Sequence, residues 1–87
     1  MNNIFLRDAT INDELLIFEW RNIDALVALS SKQKKVTLQE HQQWFKKKIV
    51  DLNCKLLIIQ LKNKNIGLIR LELEQGECNI TIYLIPG

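Results

Sequence analysis

Apolar positions along this chain repeat first at helical spacing and then at strand spacing, with one short strand in front. Ile4-Phe5-Leu6-Arg7-Asp8-Ala9 reads as that first strand. Thr10 stands three residues before Asp13, an N-cap arrangement in which hydroxyl and carboxylate satisfy the free amides of a first helical turn. Ile11, Leu15 and Phe18, flanked by Leu16, Ile17 and Trp20, then give a helix with a wide apolar face that ends near Asn22. Ile23 to Leu29 is a weaker helical stretch, and Ser30 to Lys35 is a polar loop. Thr37-Leu38-Gln39-Glu40 is a second capping box. It opens a helix to about Leu52, with His41, Trp44, Phe45, Ile49 and Leu52 on the inner face and Gln42, Gln43, Lys46 and Lys47 in water.

Beyond Asn53 the period shortens. Leu56-Leu57-Ile58-Ile59 is a continuous apolar run, the pattern of a strand covered on both faces. Lys62 to Asn65 is a turn, and from Ile69 the chain alternates, with Ile69, Leu71 and Leu73 on one face and Arg70, Glu72 and Glu74 on the other. Gln75-Gly76 reverses it, and Cys78, Ile80, Ile82 and Leu84 alternate with Asn79, Thr81 and Tyr83. A two-residue loop pairs Leu73 with Cys78, Leu71 with Ile80 and Ile69 with Ile82, which keeps the apolar sets together. It also sets Glu74 opposite Glu77, a small repulsion. The expected fold is α+β: a short strand, two to three helices, then a three-stranded antiparallel meander whose Ile69, Leu71, Ile80 and Ile82 lie buried under the helices.

With 87 residues, 47% of them hydrophobic and 25% charged, the chain has the balance of one ordinary soluble domain, or part of one, with a modest core. No apolar run approaches the roughly 20 residues that cross a bilayer, and no basic segment followed by an apolar one marks a secretion signal, so the cytoplasm is the expected location. Cys54 and Cys78 read as reduced thiols, and a lone His without a CxxC pair gives no metal site. A net charge of +2 is too small to argue for nucleic acid. The lysines gather at Lys32, Lys34 and Lys35 and at Lys46 to Lys48, either as solvated surface or as attraction for an anionic small molecule.

Four segments in order carry a family resemblance: Phe18-Glu19-Trp20-Arg21-Asn22, Glu40-His41 with Trp44-Phe45, Ile66-Gly67 with Ile69-Arg70, and Ile80-Thr81-Ile82-Tyr83-Leu84-Ile85-Pro86. Together they resemble the first half of the GNAT-type N-acetyltransferases. The likeness is to a bacterial branch acting on amino sugars attached to a nucleotide, as in pseudaminic acid biosynthesis. The resemblance implies acetyl-CoA as co-substrate and a small-molecule amine as acceptor, with neither nucleic acid nor membrane as partner. In that family the strand that Ile85-Pro86 resembles runs into a loop of the form R/Q-x-x-G-x-G/A and a helix, which hold the cofactor pyrophosphate. Here the sequence stops at Gly87, and the family's later Tyr is absent too. The expectation is a single partial domain over 1–87, lacking the phosphate clamp and inactive by itself.

The resemblance places the acceptor wall at Trp20, Arg21 and Asn22, where Arg21 pairs with a phosphate or carboxylate or is simply solvated. His41 is a satisfied histidine at a helix start, a substrate contact or a proton carrier. Acetyl transfer requires a neutral amine and hence a base. Glu72 and Glu77 are the candidates, with solvated strand carboxylates as the alternative. The backbone of Ile82, Tyr83 and Leu84 matches the place where the family's strand pairs with the pantetheine arm. A non-catalytic module pairing through its last strand is the rival reading. Because Ile80 to Ile85 is apolar and uncharged, a homodimer or other strand-edge self-association is expected.

Overall fold

The computed structural model describes residues 3–28 and 34–85. The expectations for Leu29, for the polar loop as far as Gln33 with Lys32 in it, and for Pro86 lie outside the described residues. The order is β1 (Ile4–Asp8), a 3-10 turn (Ile11–Asp13), α1 (Glu14–Arg21), α2 (Asp24–Val27), α3 (Leu38–Val50), β2 (Cys54–Leu61), β3 (Lys64–Glu74) and β4 (Glu77–Leu84). The four strands form one antiparallel sheet in the order β1-β2-β3-β4, so the first strand joins the meander and the expected three strands become four.

Both capping boxes form. The Thr10 hydroxyl accepts from the Asn12 amide and the Asp13 carboxylate accepts from the Thr10 amide, while Thr37 and Glu40 cap α3 in the same reciprocal way. Asp13 does more than cap. Arg7 donates to both of its oxygens at 2.8 Å, tying β1 to the start of α1. This bidentate pair holds the buried Asp13 carboxyl below its ordinary range, with the Thr10 amide adding to the effect against the cost of burial.

The hairpin β3–β4 has the register expected from its loop: Leu73 pairs with Cys78, Leu71 with Ile80, Ile69 with Ile82 and Glu74 with Glu77. Gln75 and Gly76 both take positive φ, 51° and 80°, and Lys62 and Asn63 do the same at 51° and 66°. Such pairs make the tight turn whose twist matches right-handed strands.

What the sequence misassigned is the covered face. The helices lie on the face that carries Leu56, Ile58 and Leu68, which join Ala9, Ile17, Trp20 and Phe45 in the buried core. Residues paired across the ladders share a face, so Arg70, Glu72, Thr81 and Tyr83 are beneath the helices. Ile69, Leu71, Ile80 and Ile82, expected there, occupy the opposite face, where Ile80 and Ile82 are 61% and 60% exposed. Alternation defines two faces without saying which one a helix covers. The larger aromatics of α1 and α3 decide it by packing on the sheet, and Arg70 and Glu72 of β3 find partners on α3. Leu52, expected on the inner face of α3, lies beyond the helix end and is fully exposed, as are much of Ile11 and Leu15.

Gly67 marks a close approach between strands. A Cβ there would collide with the Tyr83 carbonyl oxygen and crowd Leu84. Since the obstacle is backbone, Gly67→Ala must move β4, and overpacking of that kind costs about 1–3 kcal/mol.

The two faces differ sharply in expected sensitivity. Ile58→Ala should lower the unfolding free energy by about 2–5 kcal/mol. Ile82→Ala should cost about 1 kcal/mol or less. Urea titrations of the two variants check this, and equal losses would place the core on the wrong side of the sheet.

Candidate functional site

At the β4 edge of the covered face, α1, α3 and the sheet bring aromatic rings and two guanidiniums together in a cluster, hereafter the chamber. It starts with His41, one turn into α3 and wholly buried, its ring 5.4–5.8 Å from those of Phe18, Trp44 and Phe45. Arg21 at the end of α1 places Nη1 3.0 Å from His41 Nδ1. A guanidinium only donates, so Nδ1 accepts and the ring proton sits on Nε2, which donates to the Glu14 carbonyl at 2.8 Å. His41 is thus a neutral imidazole with both nitrogens engaged. Burial holds it below its ordinary value, helped by the Arg21 charge and opposed by the Glu14 carbonyl.

Arg21 lies over the Trp44 ring, its Cζ 4.3 Å from the centroid, and Arg70 of β3 approaches the same ring to 5.7 Å. Burial disfavours the Arg21 charge and Arg70 adds repulsion, with Tyr83 and Glu40 pulling weakly the other way. Among the described residues no carboxylate is within ion-pair distance of Arg21. Arg70 is partnered: its Nε is 2.8 Å from Glu72 Oε1, although poorly aligned for a hydrogen bond, and Nη2 reaches Thr81 at 3.4 Å. Tyr83 of β4 closes the chamber. Its ring meets Trp20 edge-on at 6.4 Å, and its buried hydroxyl has no partner among the described residues. Burial pushes the phenol up to about 12, against the pull of Arg21 and Arg70.

The residues singled out by sequence are placed as follows. Trp20 is core and faces Tyr83. Asn22 caps α1 and grips the Val36 backbone with both side-chain atoms, at 2.8 and 2.9 Å, fixing the approach to α3. Arg21 and His41 are in direct contact. Glu72 is held by Lys48 at 2.7 Å and by Arg70. Glu77 is exposed at the hairpin tip, six residues along β4 from Tyr83, or about 20 Å. The structure therefore leaves Glu77 away from the Tyr83 end of the chamber, whereas Glu72 meets Arg70 there. Ile82 and Leu84 turn their side chains outward, whereas Tyr83 turns inward. The Ile85 amide donates to Ile66, so by alternation the amides and carbonyls of Ile82 and Leu84 point to the edge of β4 that no described strand covers.

Sequence reasoning gave no site role to Trp44, read as core, or to Arg70, placed on the polar face of its strand. The available signal was Leu68, which pairs with Tyr83 and makes an apolar patch on the otherwise polar face of the hairpin. A depression of about 400 Å³ near the end of α3, lined by Lys48, Leu52, Asn53, Leu71, Leu73 and Cys78 among others, shares no residue with the chamber. No helix among the described residues is long and apolar enough to cross a membrane.

Two titrations follow from the chamber. The folded chain keeps His41 neutral below the ordinary value of 6.5, so the unfolded chain binds the extra proton first. Stability should then fall as pH drops through the ordinary value of about 6.5, by up to about 1.4 kcal/mol per unit, and level off once folded His41 protonates. Urea midpoints that stay flat across that value would contradict this. Tyr83 is the single tyrosine, so ultraviolet absorbance reports it alone. Phenolate should appear only near pH 12, or earlier if the fold gives way, and not in folded protein at the ordinary 10.

No protein-family model matches the sequence, and no curated protein matches it. Solved structures do match. Over 97% of this chain and 55% of the other, aminoglycoside acetyltransferase AAC(6')-Ib in complex with ribostamycin and coenzyme A superposes with a TM-score of 0.82 at 18% identity. A domain from Methanocaldococcus jannaschii gives 0.80 at 24% identity, covering 97% and 56% of the two chains. Spermidine N-acetyltransferase from Vibrio cholerae, in complex with coenzyme A and spermine, gives 0.77 at 20%, covering 95% and 52%. The chain spans about half the length of these structures. Its strand order and its helix layer are those of the GNAT acetyltransferase fold over that span.

Proposed function

We propose that this chain is the N-terminal part of an N-acetyltransferase that carries an acetyl group from acetyl-CoA to a primary amine, with a nucleotide-linked amino sugar as the acceptor. The observation that carries the proposal is the likeness, over nearly the whole chain, to acetyltransferases in complex with coenzyme A or acetyl-CoA. The residues present suit one section of that co-substrate. The outward backbone groups of Ile82 and Leu84 can pair with an extended arm as an added strand would, with Tyr83 packed behind them. Residues 1–87 offer no counterpart to the glycine-rich phosphate loop of the acetyltransferases they resemble.

On the acceptor side, Arg21 is the proposed contact. His41 holds it from behind, and Trp20 and Asn22 fix the end of α1. Of the two carboxylates, Glu72 is the nearer candidate for taking the amine proton, being ion-paired to Arg70 of the chamber wall. In the complete enzyme, Glu72→Gln should lower kcat if the carboxylate takes the proton. A loss confined to thermal stability would make Glu72 a strut for Lys48 and Arg70.

The deciding experiment is coenzyme A thiol release from acetyl-CoA, measured with a nucleotide-linked amino sugar. It should be run on residues 1–87 and on the longest natural polypeptide that contains them. Activity is expected in the longer protein, and its absence with every primary amine tried would overturn the proposal. Calorimetry of the 87-residue chain with acetyl-CoA should show binding weaker than micromolar, because each missing charge-assisted hydrogen bond is worth about 1.5–3 kcal/mol.

A further inference from the structure

The structural neighbours are complexed with ribostamycin and spermine, both polycationic amines, yet the chamber of this chain is itself cationic. Two guanidiniums converge on the Trp44 ring, and Arg21 has no carboxylate partner within reach among the described residues. A second observation is independent of charge. The Tyr83 hydroxyl is buried and unpartnered at the same place, in the reach of both guanidinium charges. A half-buried cation without an ion-pair partner, beside an idle hydroxyl donor, is costly unless a third group satisfies both.

We propose that Arg21, Arg70 and the Tyr83 hydroxyl, floored by Trp44, form a subsite for a phosphate or carboxylate carried by the acceptor, and that this subsite selects anionic amines over polycationic ones. The inference rests on the acetyltransferase reading for the word acceptor, but the anion site stands on the geometry alone. Each guanidinium has five N–H donors in a planar fork, and the contacts described leave several of them unused. The ring fixes both forks by cation–π contact, so little side-chain freedom is lost when an oxyanion arrives. His41 is a positioning residue here. Its Nδ1 lone pair orients the Arg21 fork, and its Nε2–H is spent on the Glu14 carbonyl. A polycation entering the chamber meets two like charges with Glu72 already occupied by Lys48 and Arg70.

The test uses the 87-residue chain, with inorganic pyrophosphate and spermine as probes at constant ionic strength, followed by the indole N–H resonance of Trp44. Pyrophosphate should give a saturable shift. Arg21→Gln and Arg70→Gln should each weaken binding roughly tenfold or more, while Arg21→Lys, which keeps the charge and loses the fork, should fall between. Tyr83→Phe should weaken it several-fold without moving the fold's backbone resonances. Spermine should give no saturable shift. Non-saturable pyrophosphate binding, indifference to both Gln variants, or spermine binding of equal strength would overturn the proposal. Competition separates the two sources of such an anion. If coenzyme A displaces pyrophosphate one for one, the subsite belongs to the cofactor and the acceptor assignment falls. Should the longer protein show no acetyl transfer while pyrophosphate binding persists with its variant pattern, the enzyme reading fails and the anion site remains. Equal acetylation of spermine and of a phosphate-bearing amine would do the reverse.

Discussion

Everything in this molecule follows from which face of the sheet α3 covers. Its capping box fixes where the helix starts, and that start brings His41 and Phe45, four residues apart, onto one stripe. Phe45 seats in the core with Leu56, Ile58 and Leu68, and from then on strand alternation assigns every other side chain. Arg70 and Glu72 are committed to the interior side, where Lys48 and Trp44 of the same helix meet them. The apolar set Ile69, Leu71, Ile80 and Ile82 is left outside. Burying charged groups is unfavourable unless they are paired, and here each has a partner reached from α3 or from its own strand.

The chamber is a product of the same constraint. A face made only of aliphatic residues would have closed completely against the helices, as it does around Ile17, Phe45 and Ile58. Because β3 and β4 present Arg70, Thr81 and Tyr83 there, the packing near their edge stays polar. Two cations and a phenol are held among rings, and a neutral histidine is locked behind them. A site of that composition suits negative charge, and it lies beside the free edge of β4, one of the two edges of the sheet. The proposed division of labour follows from this placement, with β4 backbone toward the co-substrate and the chamber toward the acceptor.

Much of the architecture was legible from short-range signals. Thr10 with Asp13 and Thr37 with Glu40 announced the helix starts, and the two-residue loop at Gln75-Gly76 set the register of the last hairpin pair by pair. These succeed because caps and tight turns are decided by neighbours in sequence. The covered face was not legible, because a period of two is symmetric between faces and the richer apolar face is the natural guess. The guess fails when a chain spans only part of the length its fold occupies elsewhere, since a face can be apolar for a layer that these residues do not supply. Arg21 and His41 were found as residues, but their coupling depends on α1 and α3 meeting in space, twenty positions apart in sequence. Arg70 went unread, and Tyr83 was read for its backbone alone, for the same reason as the face. Once β3 and β4 are turned over, both point into the chamber.

The claim on which all of this rests is that α3 covers the Leu56, Ile58 and Leu68 face. Nuclear Overhauser contacts between the Phe45 ring and aliphatic methyl groups test it directly. Strong contacts from Phe45 to the methyls of Ile58 and Leu68, with none to Ile69 or Ile82, are the expected result. Contacts from Phe45 to Ile69 and Ile82 would mean that the sheet is turned the other way, with Arg70 and Tyr83 in solvent and no chamber.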